Sequence, residues 1–308
     1  MRPRSEDRTV TRPEDSAPDQ APPTGAGTSP ATPPPAARTP RAGRDLPMAV
    51  GVGVGLGAVA IACLLLFRPG FLVIIGAAMV AAIWEMRGTL QRARSIALVW
   101  VPLTLGVLAT VVTTWWWGHA AQALGLVLTA LAVMFYRLVG GAQGYVADVT
   151  ATVFLAVYLG GLASFATLLV RPDDGMARIL VFLIAAVCSD TGGYAAGVLA
   201  GRHPMAPRIS PKKSWEGLAG SVVIAGVGGA VALALLLHHP WWQGAVLGVV
   251  VALVATAGDL SESLIKRDLG VKDMGTLLPG HGGVMDRLDS LLPCAVVCWI
   301  LLGVFVPV

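Results

Sequence analysis

Charge is scarce in this chain: Lys, Arg, Asp and Glu make up 13% of its 308 residues, against 55% hydrophobic residues and a mean hydropathy of +0.72. Soluble domains carry about 25% charged residues, so a water-soluble globule is excluded and the surplus apolar surface must face lipid. Cysteine is scarce too. Cys63, Cys188, Cys294 and Cys298 all lie inside apolar runs, with neither a disulfide framework nor zinc spacing. Cys294 and Cys298 fall one helical turn apart without a His or acid beside them, which marks them as packing residues. Other signals are missing. No apolar stretch precedes Met48, so a cleavable signal peptide is not expected and the N-terminal tail should be retained. No G-x-x-x-x-G-K-[ST] occurs, which excludes a P-loop ATPase. No aromatic-flanked basic run occurs either, so the net charge of +4 does not point to nucleic acid. Anionic lipid headgroups and nucleotide phosphates are the better partners.

What is present begins with a tail. Residues 1–46 hold, with Pro47, eleven of the 21 prolines and almost no large apolar side chains, the composition of a disordered segment. From Met48 onward, apolar segments predict nine membrane spans at about 20 residues each: 48–67, 71–84, 96–117, 120–136, 149–170, 177–200, 217–237, 241–258 and 291–308. The second is short and only Arg68-Pro69-Gly70 parts it from the first, so a re-entrant hairpin stays open there. The expected fold class is all-α: a polytopic integral membrane helical bundle of about nine transmembrane helices. Its expected parts are the Pro-rich cytoplasmic tail (1–46), N-terminal transmembrane helices (47–176) and a catalytic transmembrane region with two cytoplasmic polar loops (177–308).

Lys and Arg accumulate on the cytoplasmic side of membrane proteins. With nine spans, the loops after the second, fourth, sixth and eighth hold twelve basic residues, and the opposite loops hold three: Arg68, Arg171 and Arg178. The two richest polar loops therefore face the cytoplasm together. Trp115–Trp117 and Trp241–Trp242 sit at the outward ends as interfacial anchors. Gly51, Gly53, Gly55 and Gly57, and Gly217, Gly220, Gly226, Gly228 and Gly229, lack the G-x-G-x-x-G spacing and read as small-residue helix packing.

The chemistry-bearing residues concentrate late in the chain. Asp190 is the one acid placed deep in an apolar segment, where a carboxylate costs about 2.5–3.5 kcal/mol; it is either a metal or substrate ligand or a polar group satisfied by neighbouring helices. Asp259 closes the eighth segment, and helical continuation sets Ser263 and Lys266 along the same face. Lys and Arg suit a helix C-terminus; an Asp does not. Asp286 and Asp289 stand at the entry to the ninth span, where acids also occur for dipole reasons alone. Asp259 and Asp286 at the mouths of successive spans suit a hard cation such as Mg²⁺. In Ser210-Pro211-Lys212-Lys213-Ser214-Trp215-Glu216-Gly217, two lysines and two hydroxyls precede a helix, which fits a triphosphate site. The same residues also fit a positive-inside anchor with Ser214 as N-cap and Glu216 on the dipole. The stretch 263–289 crowds Lys266, Arg267, Lys272 and Arg287 against Asp268, Asp273, Asp286 and Asp289, with His281 among glycines that let backbone amides approach an anion.

Those residues resemble a known family. The pattern S-x-[apolar]-K-R-x4-K-D-x-[small]-x2-[apolar]-P-x-H-G-G-[apolar]-x-D-R-x-D is similar to the signature of phosphatidate cytidylyltransferases, also called CDP-diacylglycerol synthases. Ser263, Lys266, Arg267, Lys272, Asp273, Gly275, Pro279, His281, Gly282, Gly283, Asp286, Arg287 and Asp289 fill its fixed positions. Ser210–Gly217 and Asp190-Thr191-Gly192-Gly193-Tyr194 resemble two further elements of that family. The resemblance spans about a third of the chain. It implies transfer of CMP from CTP to phosphatidic acid, release of pyrophosphate, a requirement for Mg²⁺ and a cytoplasmic active site in the cell membrane.

On that basis Asp190, Asp259 and Asp286 are the expected metal ligands, with a second cation bridging the pyrophosphate. Lys266, Arg267 and His281 join Asp259 and Asp286 as catalytic candidates. Ser210, Lys212, Lys213, Ser214, Glu216, Ser263, Lys272, Asp273, Arg287 and Asp289 are the substrate-binding candidates. Membrane lipids are expected partners and nucleic acid is not; a homodimer is allowed and not required. A CTP-dependent polyprenol kinase would differ by its product, a phosphorylated lipid plus CDP. A lipid transporter would spread acids through the spans rather than gather charge at one face.

Overall fold

The computed structural model describes residues 46–275, 277 and 282–307, without the side chains of 46–50, 52, 54 and 56. Residues 1–45 of the expected tail, Pro279 and His281 lie outside the described residues. Among these residues nine helical rods follow one another: α1 (Leu46–Leu66), α2 (Gly70–Arg94), α3 (Trp100–Trp117), α4 (His119–Leu138), α5 (Tyr145–Val170), α6 (Gly175–Ala200), α7 (Trp215–Leu236), α8 (Trp241–Asp268) and α9 (Met285–Phe305). The eight from α2 to α9 are long and apolar enough to cross a membrane. One two-stranded antiparallel hairpin, β1 (Pro204–Ala206) and β2 (Ser210–Ser214), joins α6 to α7.

The rods run up and down. At one end, Arg68 on the α1–α2 turn donates to the carbonyl of Pro172 at 2.6 Å, and Arg178 at the start of α6 donates to the carbonyl of Val306 at the end of α9 at 2.7 Å. At the other end, Arg94 closing α2 meets Asp268 closing α8 at 2.7 Å, and the Ala97 N–H before α3 reaches Asp148 near the start of α5 at 2.7 Å. Odd and even loops thus gather at opposite ends, as the charge pattern predicts.

Two expectations need correction. The second span is a full 25-residue helix, not a short re-entrant hairpin: it continues past Trp84 through Glu85 to Arg94. For α1, a Cβ at Gly51, Gly55 or Gly57 would meet nothing within 4 Å among the described residues, so no described helix packs on those three glycines. The glycines of α7 do pack. Gly220 abuts the Gly192 backbone of α6, and Gly229 abuts Gly244 of α8, so backbones approach where side chains would hold them apart.

α5 carries a π-helical turn, Ala156–Gly161. Such a turn frees carbonyl groups, and Gly161 accepts from Gln122 Nε2 at 3.1 Å and from Ser164 Oγ at 2.7 Å. That satisfies an otherwise awkward buried Gln within the bundle. Cys294 and Cys298 are fully buried in the core, as packing residues should be.

Candidate active site

α6, α7 and α8 pack tightly where the β-hairpin folds over them, and a cavity of about 210 Å³ opens between them. Asp190 from α6, Lys212, Lys213 and Ser214 from β2, and Thr256 and Asp259 from α8 line it. The local causes are plain. Gly192 and Gly193 let α6 lie against α7 at Gly217 and Gly220, one turn past Asp190, and Ser221 Oγ locks the crossing by donating to the Ser189 carbonyl at 2.7 Å. Ser214 caps α7, its Oγ accepting from the Gly217 N–H at 3.1 Å. The cap fixes the end of β2 and with it the direction of the two lysines.

Lys213 Nζ sits 2.6 Å from Asp259 Oδ2 and 3.3 Å from the Thr256 carbonyl. Lys212 and Asp190 are exposed to the cavity, and Asp190 makes no hydrogen bond or ion pair among the described residues. Asp259 also stands away from any helix end: α8 runs nine residues further, so its place is explained by Lys213 rather than by an unfavourable C-terminus.

A second cluster adjoins on the next turns of α8. Lys266 Nζ is 2.7 Å from Asp286 Oδ1 and is also paired with Glu262 one turn back. Asp289 lies beside Glu262 and within the field of Asp259. Gly258 makes this possible, because a Cβ there would strike the Asp289 carbonyl and Pro293. Asp286 accepts the Gly283 N–H at 2.7 Å and the Met274 N–H at 3.2 Å, closing the signature loop onto the start of α9. Arg287 acts electrostatically on Asp190, linking the two clusters.

The remaining candidates fall around these groups. Arg267 is exposed and donates through Nε to the Ile209 carbonyl of the hairpin at 3.2 Å. Ser210 and Ser263 are half-buried, and Lys272 and Asp273 are exposed; none of them lines the cavity. Glu216 serves the hairpin: it accepts the N–H groups of Arg202 and His203 at 3.2 Å each and meets His203 Nδ1 at 2.5 Å. Asp286 does not line the cavity with Asp190 and Asp259, and among the described residues no three His, Cys, Asp or Glu side chains are arranged to hold a metal ion.

Sequence reasoning missed several buried polar groups, three of which adjoin these clusters. Glu262 is 1% exposed inside α8 and Glu85 is 6% exposed inside α2. Glu85 Oε2 accepts the Met285 N–H at 3.0 Å, its carboxylate fills the space beside Gly275 and Gly283, and one turn on Thr89 donates to the Met274 carbonyl at 2.9 Å. α2 is thus the strut beneath the signature loop. The third is Tyr158, in the π turn of α5, whose buried hydroxyl has no hydrogen-bond partner among the described residues and feels Asp289, Glu262 and Asp259. A charge continuing the helical register past Trp84 was the available signal for Glu85.

The cytidylyltransferase family model matches residues 48–305, covering every described helix except the first two residues of α1. The chain belongs to the cytidylyltransferase family. Among curated proteins it is 44% identical over 281 residues to a phosphatidate cytidylyltransferase of Mycobacterium bovis, covering 87% of this chain and 92% of that protein. It is 43% identical to the same-named protein of Mycobacterium tuberculosis over 87% of this chain and 85% of that one. A phosphatidate cytidylyltransferase of Brucella suis is 31% identical over 237 residues, 76% of this chain and 84% of the relative. The matched region contains both charged clusters, the hairpin and the α2 strut.

Proposed function

We propose that the chain is a CTP:phosphatidate cytidylyltransferase, a membrane-embedded nucleotidyltransferase that transfers CMP from CTP to phosphatidic acid. Relatives carrying that name match it over most of both chains, and the cavity joining Asp190, Lys212, Lys213 and Asp259 is the observation that carries the reading. A phosphate monoester oxygen of the lipid attacks the α-phosphorus of CTP, the α–β phosphoanhydride bond breaks, and pyrophosphate leaves with the bond electrons. The attacking lipid phosphate is already ionised near neutral pH, so the protein need supply no nucleophile and its task is positioning and charge neutralisation.

Lys212, exposed on the cavity, meets the triphosphate, and Lys213 exchanges its Asp259 partner for phosphate oxygens as the nucleotide enters. Asp190 and Asp259 present hard carboxylate oxygens on one cavity, which fits Mg²⁺, an ion commonly held by one or two carboxylates plus substrate phosphates. When bound there, the ion would neutralise charge developing on the phosphoryl oxygens. Lys266, fixed by Glu262 and Asp286, supplies positive charge beside that acid pair, and Arg267 steadies the hairpin over the nucleotide. The twelve basic residues on this end of the bundle support a cytoplasmic site in the cell membrane, where CTP is available.

The test is the purified full chain with labelled CTP and phosphatidic acid, with and without Mg²⁺. Labelled CDP-diacylglycerol and pyrophosphate are expected only with the ion. A phosphorylated lipid plus CDP, or no lipid product across varied acceptors, would overturn the reading.

A further inference from the structure

A second cavity, about 1070 Å³, opens at the same end of the bundle and shares no lining residue with the first. It lies between the last turns of α2, the start of α3 and the end of α4, and Trp84, Arg87, Arg92, Trp100, Tyr136 and Arg137 face it. Arg87 is held between two indoles, its guanidinium carbon 4.8 Å from the Trp100 ring centre and 5.8 Å from that of Trp84. Stacking keeps the planar fork extended and oriented. Arg137 is committed to the wall: Nε pairs with Asp148 at 2.9 Å and the other nitrogens donate to the carbonyls of Gly141 and Gln143. Asp148 also takes the Ala97 N–H at 2.7 Å, which fixes the α2–α3 connection that forms one side. Asp148 is therefore spent on Arg137 and the Ala97 N–H. Arg87 and Arg92 make no ion pair among the described residues, and both face the opening.

The aromatic rim is exposed, Trp84 at 63% and Tyr136 at 59%. One turn or more further into the spans, Val80 of α2 and Leu131 and Phe135 of α4 are exposed on the outer faces of these helices. Two unpaired guanidiniums, indole N–H and phenol donors at headgroup depth, and an apolar track beneath them match one ligand chemistry. We propose that this cleft binds the phosphate headgroup of an anionic glycerophospholipid, with its acyl chains along the outer faces of α2 and α4. The volume exceeds what a lone phosphate fills and accommodates the phosphate with its glycerol. This site stands apart from the catalytic reading and needs neither CTP nor metal.

Retention of radiolabelled phosphatidylglycerol, against phosphatidylcholine, by the purified full chain in neutral detergent micelles tests it. The wild-type chain retains the anionic lipid in preference, and Arg87→Gln with Arg92→Gln lowers that retention roughly tenfold or more, two headgroup-facing cations having been removed. Arg92→Gln alone, an exposed change with little bearing on folding, gives a partial loss, and Arg87→Lys a smaller one than Arg87→Gln. Cytidylyl transfer at saturating phosphatidic acid reports that the variants are folded. Equal retention of the two lipids, unchanged retention in the double variant, or displacement of the lipid by inorganic phosphate at the lipid's own affinity would each overturn the proposal, the last by making it a free-phosphate site.

Discussion

Lys213 and Asp259 hold each other at 2.6 Å, with about a quarter and a third of their side chains exposed, so their pairing contributes little to stability and keeps both available to a ligand. Asp259→Asn is accordingly expected to leave the chain folded while lowering kcat about 10²–10³-fold, the scale of losing one preorganised electrostatic group. Because Lys213 is released by the same change, KM for CTP should stay level or fall. Near-normal turnover under limiting Mg²⁺ would remove Asp259 from the metal assignment. Lys266 is different. Its partners Glu262 and Asp286 are almost wholly buried, and Lys266→Ala strands two carboxylates at a predicted cost of about 3–5 kcal/mol. Loss of thermal stability in detergent, measured beside activity, should therefore accompany Lys266→Ala and be absent from Asp259→Asn.

At the level of elements, α2 supports the signature loop through Glu85 and Thr89. Glu85→Gln preserves an acceptor for the Met285 N–H, whereas Glu85→Ala leaves that N–H unpaired and a hole beside Gly275 and Gly283. The alanine variant is expected to lose at least tenfold in kcat through a displaced loop, with the glutamine variant recovering much of it. Equal effects of both would mean that Glu85 acts by charge rather than by position. α2 also shows where the linear sequence stops informing. Hydropathy ends the span at Trp84 because Glu85 and Arg87 are charged, yet the helix continues, since its polar turns meet a loop that begins some 190 residues later. Lys212, Lys213, Asp190 and Asp259 were legible because each departs from its local apolar or helical pattern. Glu262 was not, lying in a stretch already rich in charge, and its burial comes from the α8–α9 crossing at Gly258. The α7 glycines and the Ser214 cap follow from spacing alone, while Gly51, Gly55 and Gly57 of α1, with the same look, meet no helix among the described residues.

For the whole molecule, the alternation of nine rods sends the hairpin and the signature loop to one end, and the turns holding Arg68, Asp173 and His239 to the other. Only the basic bias says which end meets the cytoplasm. Native cysteines permit a direct test, because Cys294 and Cys298 are buried and can stay, leaving Cys63 and Cys188 to be replaced by Ser. In that background, single cysteines at Arg208 or Lys272 should resist a membrane-impermeant thiol reagent applied to sealed, right-side-out cells and react once the membrane is opened. Cysteines at Asp173 or His239 should react from outside without opening. The reverse pattern would place the Lys212-Lys213 cavity outside the cell, away from its nucleotide, and would defeat the cytoplasmic assignment while leaving the fold intact. Labelling of both sets from one side would instead defeat the alternation itself, which rests on contacts such as Arg94 with Asp268 at one end and Arg178 with Val306 at the other.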